Sequence, residues 1–133
     1  MNEKIYIIED DANLLYGLQS RFSSEGYEVD ITTGEETLEE LIAYIKRNKF
    51  DYVILDLILP DLDGFELLEA IKQDDDLKDL SIFVFTDLSD EDSKSRSMDL
   101  GADYYFIKTD FDINEFSEKV IRILNNKGKT NNF

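Results

Sequence analysis

Residues 53–59 read VILDLIL, so that six large aliphatic side chains enclose a single aspartate, Asp56. A short, continuous apolar run of this kind is typical of a strand that is covered on both faces of a parallel sheet. A carboxylate in such a strand is costly to bury without a partner, so a purely structural role for Asp56 is the less favoured interpretation. The stretch therefore predicts a central strand that carries a functional carboxylate near its end.

Four other short runs are rich in β-branched or aromatic residues, and they alternate with longer stretches whose apolar residues recur at helical spacing. Five strands that alternate with five helices indicate a parallel sheet covered on both faces, because each parallel crossover needs a helix and nearly all crossovers are right-handed. The predicted strands cover residues 5–8, 28–32, 52–57, 82–85 and 104–107.

Apolar residues at helical spacing mark the buried faces of four of the five predicted helices. They are Leu15, Leu18 and Phe22; Leu38, Leu41, Ile42 and Ile45; Phe65, Leu68 and Ile71; and Phe116, Val120 and Ile123. Gly26 predicts the end of the first helix. Thr33 stands three residues before Glu36, which predicts a capping box at the start of the second, and Asp112 and Glu115 can cap the fifth.

The predicted fourth helix, residues 89–100, carries the weakest apolar pattern. Met98 and Leu100 are its large apolar residues, so this helix has little to bury. We expect it to be the most mobile helix.

The length of 133 residues is enough to enclose one hydrophobic core, so we expect a single domain. We assign this domain to residues 1–125. Residues 126–133 are polar, and we interpret them as a C-terminal tail or the stub of a linker.

The charge and composition exclude several classes of function. Fourteen basic and 31 acidic residues give a formal charge of −17, which would repel the phosphate backbone of nucleic acids. The chain has no cysteine and no histidine, so it can form no disulfide, no thiolate metal site and no phosphohistidine of its own. No apolar run is long enough for a membrane span or a signal peptide, and we expect a soluble cytoplasmic protein.

Polar side chains stand at the ends of four different predicted strands. Glu9 and Asp10 follow the first strand, and Asp56 lies near the end of the third. Thr86 ends the fourth strand and Lys108 ends the fifth. If the strand order is 2-1-3-4-5, the carboxylates converge at the crevice beyond the strand ends. Carboxylates so close to one another repel, so a cation is needed between them. Oxygen ligands favour Mg²⁺ over Zn²⁺ at such a site.

Taken singly, these residues have ordinary explanations. Residues 9–11 could form only a solvated turn in which Asp11 caps a helix, and threonine is common at strand ends. Together, however, four strand ends supply two acidic groups, a hydroxyl and an ammonium. These are the groups needed to bind a metal ion and a phosphoryl group.

Five segments together resemble the receiver domains of bacterial two-component response regulators, of the chemotaxis-regulator type, over about residues 4–124. They are IYIIEDD at residues 5–11, DLILPDLDG at 56–64, Thr86, GAD at 101–103 and YFIK at 105–108. The resemblance implies a flavodoxin-like fold, with a five-stranded parallel sheet of order 2-1-3-4-5 and helices on both faces.

The resemblance also implies that Asp56 is the phosphoacceptor and that Mg²⁺ is the cofactor. Asp10 and Asp56 would bind the ion directly, and Glu9 would act through water. The backbone carbonyl of Ile58 would add a further ligand.

By the same resemblance, Thr86 would hydrogen-bond the phosphoryl group, Lys108 would pair with it, and Tyr105 would be the aromatic switch that responds to Thr86. Two positions depart from the family pattern. Thr109 stands where proline is common, which puts the geometry of the loop beside Lys108 in question. Asp87 stands where a small residue is usual, and it adds a negative charge at the mouth of the site.

The implied partner is a sensor histidine kinase or a histidine phosphotransfer protein, which must supply the phosphohistidine. The chain would be a phosphoacceptor that takes part in its own phosphorylation and dephosphorylation, not an enzyme. A homodimer or an effector would bind through the fourth helix, the fifth strand and the fifth helix.

The sequence leaves one alternative function open and argues against two others. A receiver-like adaptor would keep the fold without being phosphorylated. A phosphatase of the haloacid dehalogenase type would need a second aspartate two residues after the nucleophile, where this chain has Ile58. An EF-hand with Gly64 at its sixth position would begin at Leu59 and end at Ala70, neither of which is a suitable ligand.

Overall fold

The structure, a computed structural model, describes residues 2–130 of the chain and the side chains of residues 2–126. The strands are β1 (Lys4–Ile8), β2 (Glu28–Thr32), β3 (Tyr52–Leu55), β4 (Ser81–Thr86) and β5 (Tyr104–Ile107). The helices are α1 (Ala12–Ser24), α2 (Leu38–Asn48), α3 (Gly64–Gln73), α4 (Glu91–Asp99) and α5 (Ile113–Thr130), with a 3-10 turn at Lys108–Asp110 before α5. None of these helices is both long and apolar enough to cross a membrane.

Within residues 2–130 the strands form one parallel sheet in the order β2-β1-β3-β4-β5. This order confirms the predicted flavodoxin-like topology. The last residue of β1, Ile8, lies opposite Thr32 of β2 on one side and Leu55 of β3 on the other. Since the strand order reverses at β1, the carboxyl ends of β1 and β3 border the same crevice.

The central strand β1 is buried on both faces, as a strand covered by helices must be. Ile5 and Ile7 belong to the core beneath α1 and α5, whereas Tyr6 and Ile8 belong to the core beneath α2 and α3. Successive side chains of a strand point to opposite faces, so one short strand contributes to both cores. The carboxyl end of β1 is thereby held rigidly from both sides.

The start of α2 differs from the prediction. Thr33 and Glu36 do not form the capping box, because the N-cap is Thr37, which accepts from the Glu40 N–H while its own N–H donates to the Glu40 carboxylate. Threonine and glutamate three residues apart occur three times in this segment, at residues 32 and 35, 33 and 36, and 37 and 40. Glu36 instead accepts a hydrogen bond from the Thr32 hydroxyl, so the helix begins one turn later.

Other element ends bear on the site and on the tail. β3 ends at Leu55, so that Asp56 follows directly after the strand. Asp112 and Glu115 cap α5 reciprocally, as predicted. α5 continues to Thr130, which takes helical backbone five residues into the segment interpreted as a tail. Residues 131–133 lie outside the described residues, and the division into domain and tail stays a prediction.

Helix α4 has few buried side chains. Among the residues of α4, all of which the structure describes, only Ser97 is buried. Met98 is 43% exposed, and Leu100, just after the helix, is partly buried against the core. The prediction that this helix has little to bury is confirmed, and its mobility stays a prediction.

Candidate functional site

The ends of β1 and β3 bring two acidic residues to the same edge of the sheet. The backbone N–H of Asp56 donates to the Ile8 carbonyl at 3.0 Å, and that of Glu9 donates to the Thr32 carbonyl at 3.0 Å. These hydrogen bonds extend the ladder by one residue past each strand. The backbone at Glu9 and Asp56 is therefore held by the same hydrogen-bond ladder as the sheet.

Lys108 joins the two carboxylates. Its Nζ lies 2.7 Å from Asp56 Oδ2 and 2.7 Å from Glu9 Oε1. Asp56 is 4% exposed and Glu9 is 2% exposed, so the ammonium compensates carboxylates that are largely shielded from solvent. The sequence suggested that Lys108 pairs with a phosphoryl group, but it did not reveal the contact with Glu9.

The electrostatics of this group reflect burial and crowding. Burial raises the pKa of Glu9 to about 7, because desolvation together with the nearby Asp56 charge outweighs the hydrogen bonds from Lys108 and the Asp11 N–H. Burial alone would lower the pKa of Lys108, but its hydrogen bonds to Asp56 and Glu9 outweigh this and hold the pKa above its ordinary value. The site therefore keeps its ammonium, and Glu9 takes up a proton more readily than an exposed glutamate does.

Three carboxylates can point at a common centre. Glu9, Asp10 and Asp56 each offer one oxygen, and these oxygens lie within 4.8 Å of one another. Asp10 is exposed whereas the other two are buried, so the cluster opens to solvent on one side. An all-oxygen set of this kind fits a hard divalent cation such as Mg²⁺, which keeps waters and accepts one or two carboxylates.

The loop after β3 returns to Asp56. The Ile58 N–H donates to Asp56 Oδ1 at 3.1 Å, and Ile58 forms an isolated antiparallel bridge with Asp63. Asp56 is thus held by Ile58 through one oxygen and by Lys108 through the other. Ile58 lies beside the acidic cluster, as the sequence suggested, and its carbonyl as a ligand stays a prediction.

Thr86 and Tyr105 are linked through the loop that leads to α4. Thr86 is fully buried, and its hydroxyl accepts from the Leu88 N–H at 3.4 Å. The Tyr105 hydroxyl donates to the Leu88 carbonyl at 2.7 Å, and burial raises the pKa of this phenol above its ordinary value. Sequence reasoning named both side chains but missed Leu88, since backbone groups leave no residue-type signal.

The two departures from the family pattern lie at the rim of the site. Asp87 is exposed, directly after Thr86. Thr109 is exposed within the 3-10 turn, and the peptide bond that joins it to Lys108 is trans. Phe111 closes this turn through its N–H to the Lys108 carbonyl at 3.4 Å and packs edge-on against Phe106. The loop without proline therefore still delivers Lys108 to the acidic cluster.

Comparison with known proteins places this arrangement among signalling domains. The model of the response regulator receiver domain matches residues 5–121. The response regulator ArlR of Staphylococcus saprophyticus is 33% identical over 129 residues, which cover 96% of this chain and 55% of that protein. The chain spans about half the length of the curated relatives it matches.

Two solved structures resemble the fold throughout. A CheY-like receiver domain protein of Methanospirillum hungatei has a TM-score of 0.82 at 28% identity, covering 98% of this chain and 99% of that one. The non-phosphorylated HemR receiver domain of Leptospira biflexa has a TM-score of 0.79 at 32% identity, covering 92% and 94% respectively.

Proposed function

Because the chain belongs to the receiver domain family of the response regulators, the phosphoacceptors of two-component systems, we propose that Asp56 is the residue that accepts the phosphoryl group. The contact that carries this proposal is the 2.7 Å approach of Lys108 Nζ to Asp56 Oδ2 inside a cluster of three carboxylates. A buried aspartate that faces an ammonium is an anionic nucleophile with a ready counter-charge.

We propose that Mg²⁺ is the cofactor of this site. Asp10 and Asp56 would bind it directly, Glu9 would act through a water, and the Ile58 carbonyl would complete the protein ligands. When bound, the ion would neutralise charge on the oxygens of the phosphoryl group. The support for this set is that the oxygens of Glu9, Asp10 and Asp56 lie within 4.8 Å of one another.

The reaction that fits these residues is transfer from a partner's phosphohistidine. An Asp56 oxygen attacks the phosphorus, so that an O–P bond forms while the P–N bond breaks. The electron pair of the broken bond returns to the partner's imidazole, which takes up a proton. Lys108 would shift its contact to the transferred phosphoryl group, and the Thr86 hydroxyl would donate to it. The partner must supply the histidine, since this chain has none.

We infer that the partner is a sensor histidine kinase or a histidine phosphotransfer protein and that the encounter takes place in the cytoplasm. The domain would assist its own phosphorylation and dephosphorylation without acting as an enzyme on a separate substrate. Its charge of −17 argues against direct contact with nucleic acid by this domain.

The proposed readout begins at Leu88. Thr86 and Tyr105 both hydrogen-bond to the backbone of this residue, so movement of Thr86 toward a phosphoryl group would alter the position of the Tyr105 ring. A global response needs an element with two arrangements, and the weakly buried α4 is suited to that role. We propose that α4, β5 and α5 form the surface that binds an effector or a second copy of the chain.

Phosphorylation of Asp56 can be tested with acetyl phosphate and Mg²⁺. Intact-mass analysis should show one added phosphoryl group, and peptide mapping should place it on Asp56. Asp56→Asn should abolish labelling, because an amide is neither a comparable nucleophile nor an anionic ligand.

Asp61→Asn is a matched control, since Asp61 is an exposed carboxylate of the same loop. It should label like the wild-type chain. Labelling of Asp56→Asn at the wild-type level would contradict the proposal, and a wild-type chain that no donor labels would favour the unphosphorylated adaptor.

A further inference from the structure

The loop between β3 and α3 holds Ile58 between two leucines. Leu57 is buried, Leu59 is partly buried against the same core, and Ile58 between them is 47% exposed. The side chains therefore alternate inward, outward and inward, as in an extended segment. The position of the Ile58 peptide group follows from where these two leucines are anchored.

Leu57 is anchored by the first residue of α3. The Gly64 N–H donates to the Leu57 carbonyl at 3.2 Å. A Cβ on Gly64 would lie 2.4 Å from Leu57 Cα, so only glycine allows the helix to approach the loop backbone this closely. The residue before Ile58 is thus fixed by direct packing of its backbone against the backbone of α3.

Leu59 is anchored differently, by the turn between β2 and α2. Its side chain lies over Gly34, where a Cβ would come within 2.9 Å of Leu59 Cδ2. Gly34 is buried and has a φ of +81°, a conformation that residues with a side chain rarely adopt. Two loops that are separate in sequence therefore meet where the Leu59 side chain packs on a glycine whose positive φ disfavours other residues.

That turn is itself held by Thr32. The Thr32 hydroxyl accepts from the Gly34 N–H at 3.1 Å and donates to the Glu36 carboxylate at 2.6 Å. The carbonyl of Thr32 accepts from the Glu9 N–H at 3.0 Å. The same turn thus touches the backbone of Glu9 and the side chain of Leu59, two segments that belong to the acidic site.

We propose that Leu59 is a positioning residue for the metal site and that its side chain is held in place by packing on Gly34. Leu59 is not itself a proposed ligand, but it fixes the peptide group that carries the Ile58 carbonyl. This inference rests on the proposed function, because it assumes that this carbonyl contributes to Mg²⁺ binding. The turn between β2 and α2 would then contribute to metal affinity, although none of its side chains is a proposed ligand.

The test compares two leucines of the same loop. Leu59 and Leu62 are both partly buried against the same core, so truncation of either removes equal apolar volume. Calorimetric titration with Mg²⁺ should show that Leu59→Ala weakens binding by about tenfold, in line with the loss of a group that supports a ligand. Leu62→Ala should stay within about twofold of the wild type, and Leu59→Met, which conserves the volume, should restore affinity.

Equal weakening by the two alanine variants, or none by Leu59→Ala, would overturn the proposal. Leu59→Val and Leu62→Val give the same comparison if either alanine variant fails to fold. A second reading comes from Gly34→Ala, which should weaken Mg²⁺ binding by displacing Leu59. The double variant with Leu59→Ala should then be no weaker than the worse single variant, and additive losses would refute the link.

Failure of the proposed function would look different. In that case the wild-type chain itself would not bind Mg²⁺, or Asp56→Asn would still be labelled. If only the role of Leu59 is wrong, wild-type binding and labelling remain and the leucine variants no longer differ.

Discussion

Helices α3 and α4 cover the same face of the sheet, yet they are attached to it in different ways. α3 buries Leu67, Leu68 and Ile71, and Gly64 packs it directly onto the loop after β3. α4, which is described in full, buries Ser97, whose hydroxyl turns back to the Ser93 carbonyl. α3 is thus packed firmly against the sheet beside the site, whereas α4 has few buried contacts with the rest of the domain.

The contacts of α4 are polar or lie at its margins. The Arg96 guanidinium stacks over the Phe65 ring of α3 at 4.1 Å from the centroid. Leu88 and Leu100, on either side of the helix, are partly buried against the core. Local opening is expected where few apolar side chains are buried, so α4 is suited to move and α3 to stay in place.

The largest effect is expected from Leu68→Ala in α3. Leu68 is fully buried, and the variant should lower the free energy of unfolding by about 3 kcal/mol. Met98→Ala in α4, where the side chain is exposed, should change it by less than about 0.5 kcal/mol. Urea unfolding of both variants would measure this, and similar losses would mean that α4 is anchored as firmly as α3.

A smaller effect is expected at Tyr105, which connects Leu88 to β5. Tyr105→Ala should weaken partner binding or self-association in the presence of beryllium fluoride by about tenfold, or 1.4 kcal/mol. Labelling of Asp56 should not change. Tyr105→Phe serves as the matched variant, because it removes only the hydroxyl that donates to Leu88.

Affinity measured with and without beryllium fluoride decides this prediction. If activation alters neither partner affinity nor self-association, or if amide shifts on activation map only to α1, then the surface of α4, β5 and α5 is not the output face. Shifts in α4 with a silent α3 would support the contrast between the two helices.

Arg96→Ala should produce a modest, local effect. The loss of the contact with Phe65 is worth about 0.5–1 kcal/mol at an exposed site. Amide exchange within α4 should therefore be roughly two- to fivefold faster, while exchange in α3 should not change. Arg96→Lys keeps the charge and tests whether the planar guanidinium matters, and faster exchange in both helices would show that they open together.

The smallest effect is expected from Asp87→Ala, in the loop that leads into α4. Asp87 is exposed beside buried Thr86, and its charge should slow the approach of anionic donors. Labelling by acetyl phosphate should be roughly twofold faster at low ionic strength, with the difference lost in salt. Asp99→Ala removes an equal charge at the far end of α4 as a control. An unchanged rate for Asp87→Ala would mean that its carboxylate points away from the site.

Much of the architecture could be predicted from neighbouring residues. The β-branched and aromatic run at residues 5–8, the helical spacing of Leu15, Leu18 and Phe22, and the reciprocal cap of Asp112 and Glu115 are local patterns, and the structure contains all of them. The predicted position of the capping box of α2 is wrong, because threonine and glutamate stand three residues apart three times between residues 32 and 40. In the structure Glu36 accepts from the Thr32 hydroxyl, four residues earlier, and the box forms at Thr37 and Glu40.

The alternation of strands and helices and the isolation of Asp56 among aliphatic residues follow from the amino-acid order, because periodicity and burial cost are carried by residues close together in the chain. Three contacts arise only on folding: Lys108 bridges Glu9 and Asp56, Leu88 links Thr86 to Tyr105, and Leu59 packs on Gly34. These contacts depend on strand register, on backbone groups common to all residues and on the close approach of distant loops. No local pattern of residue types specifies any of the three.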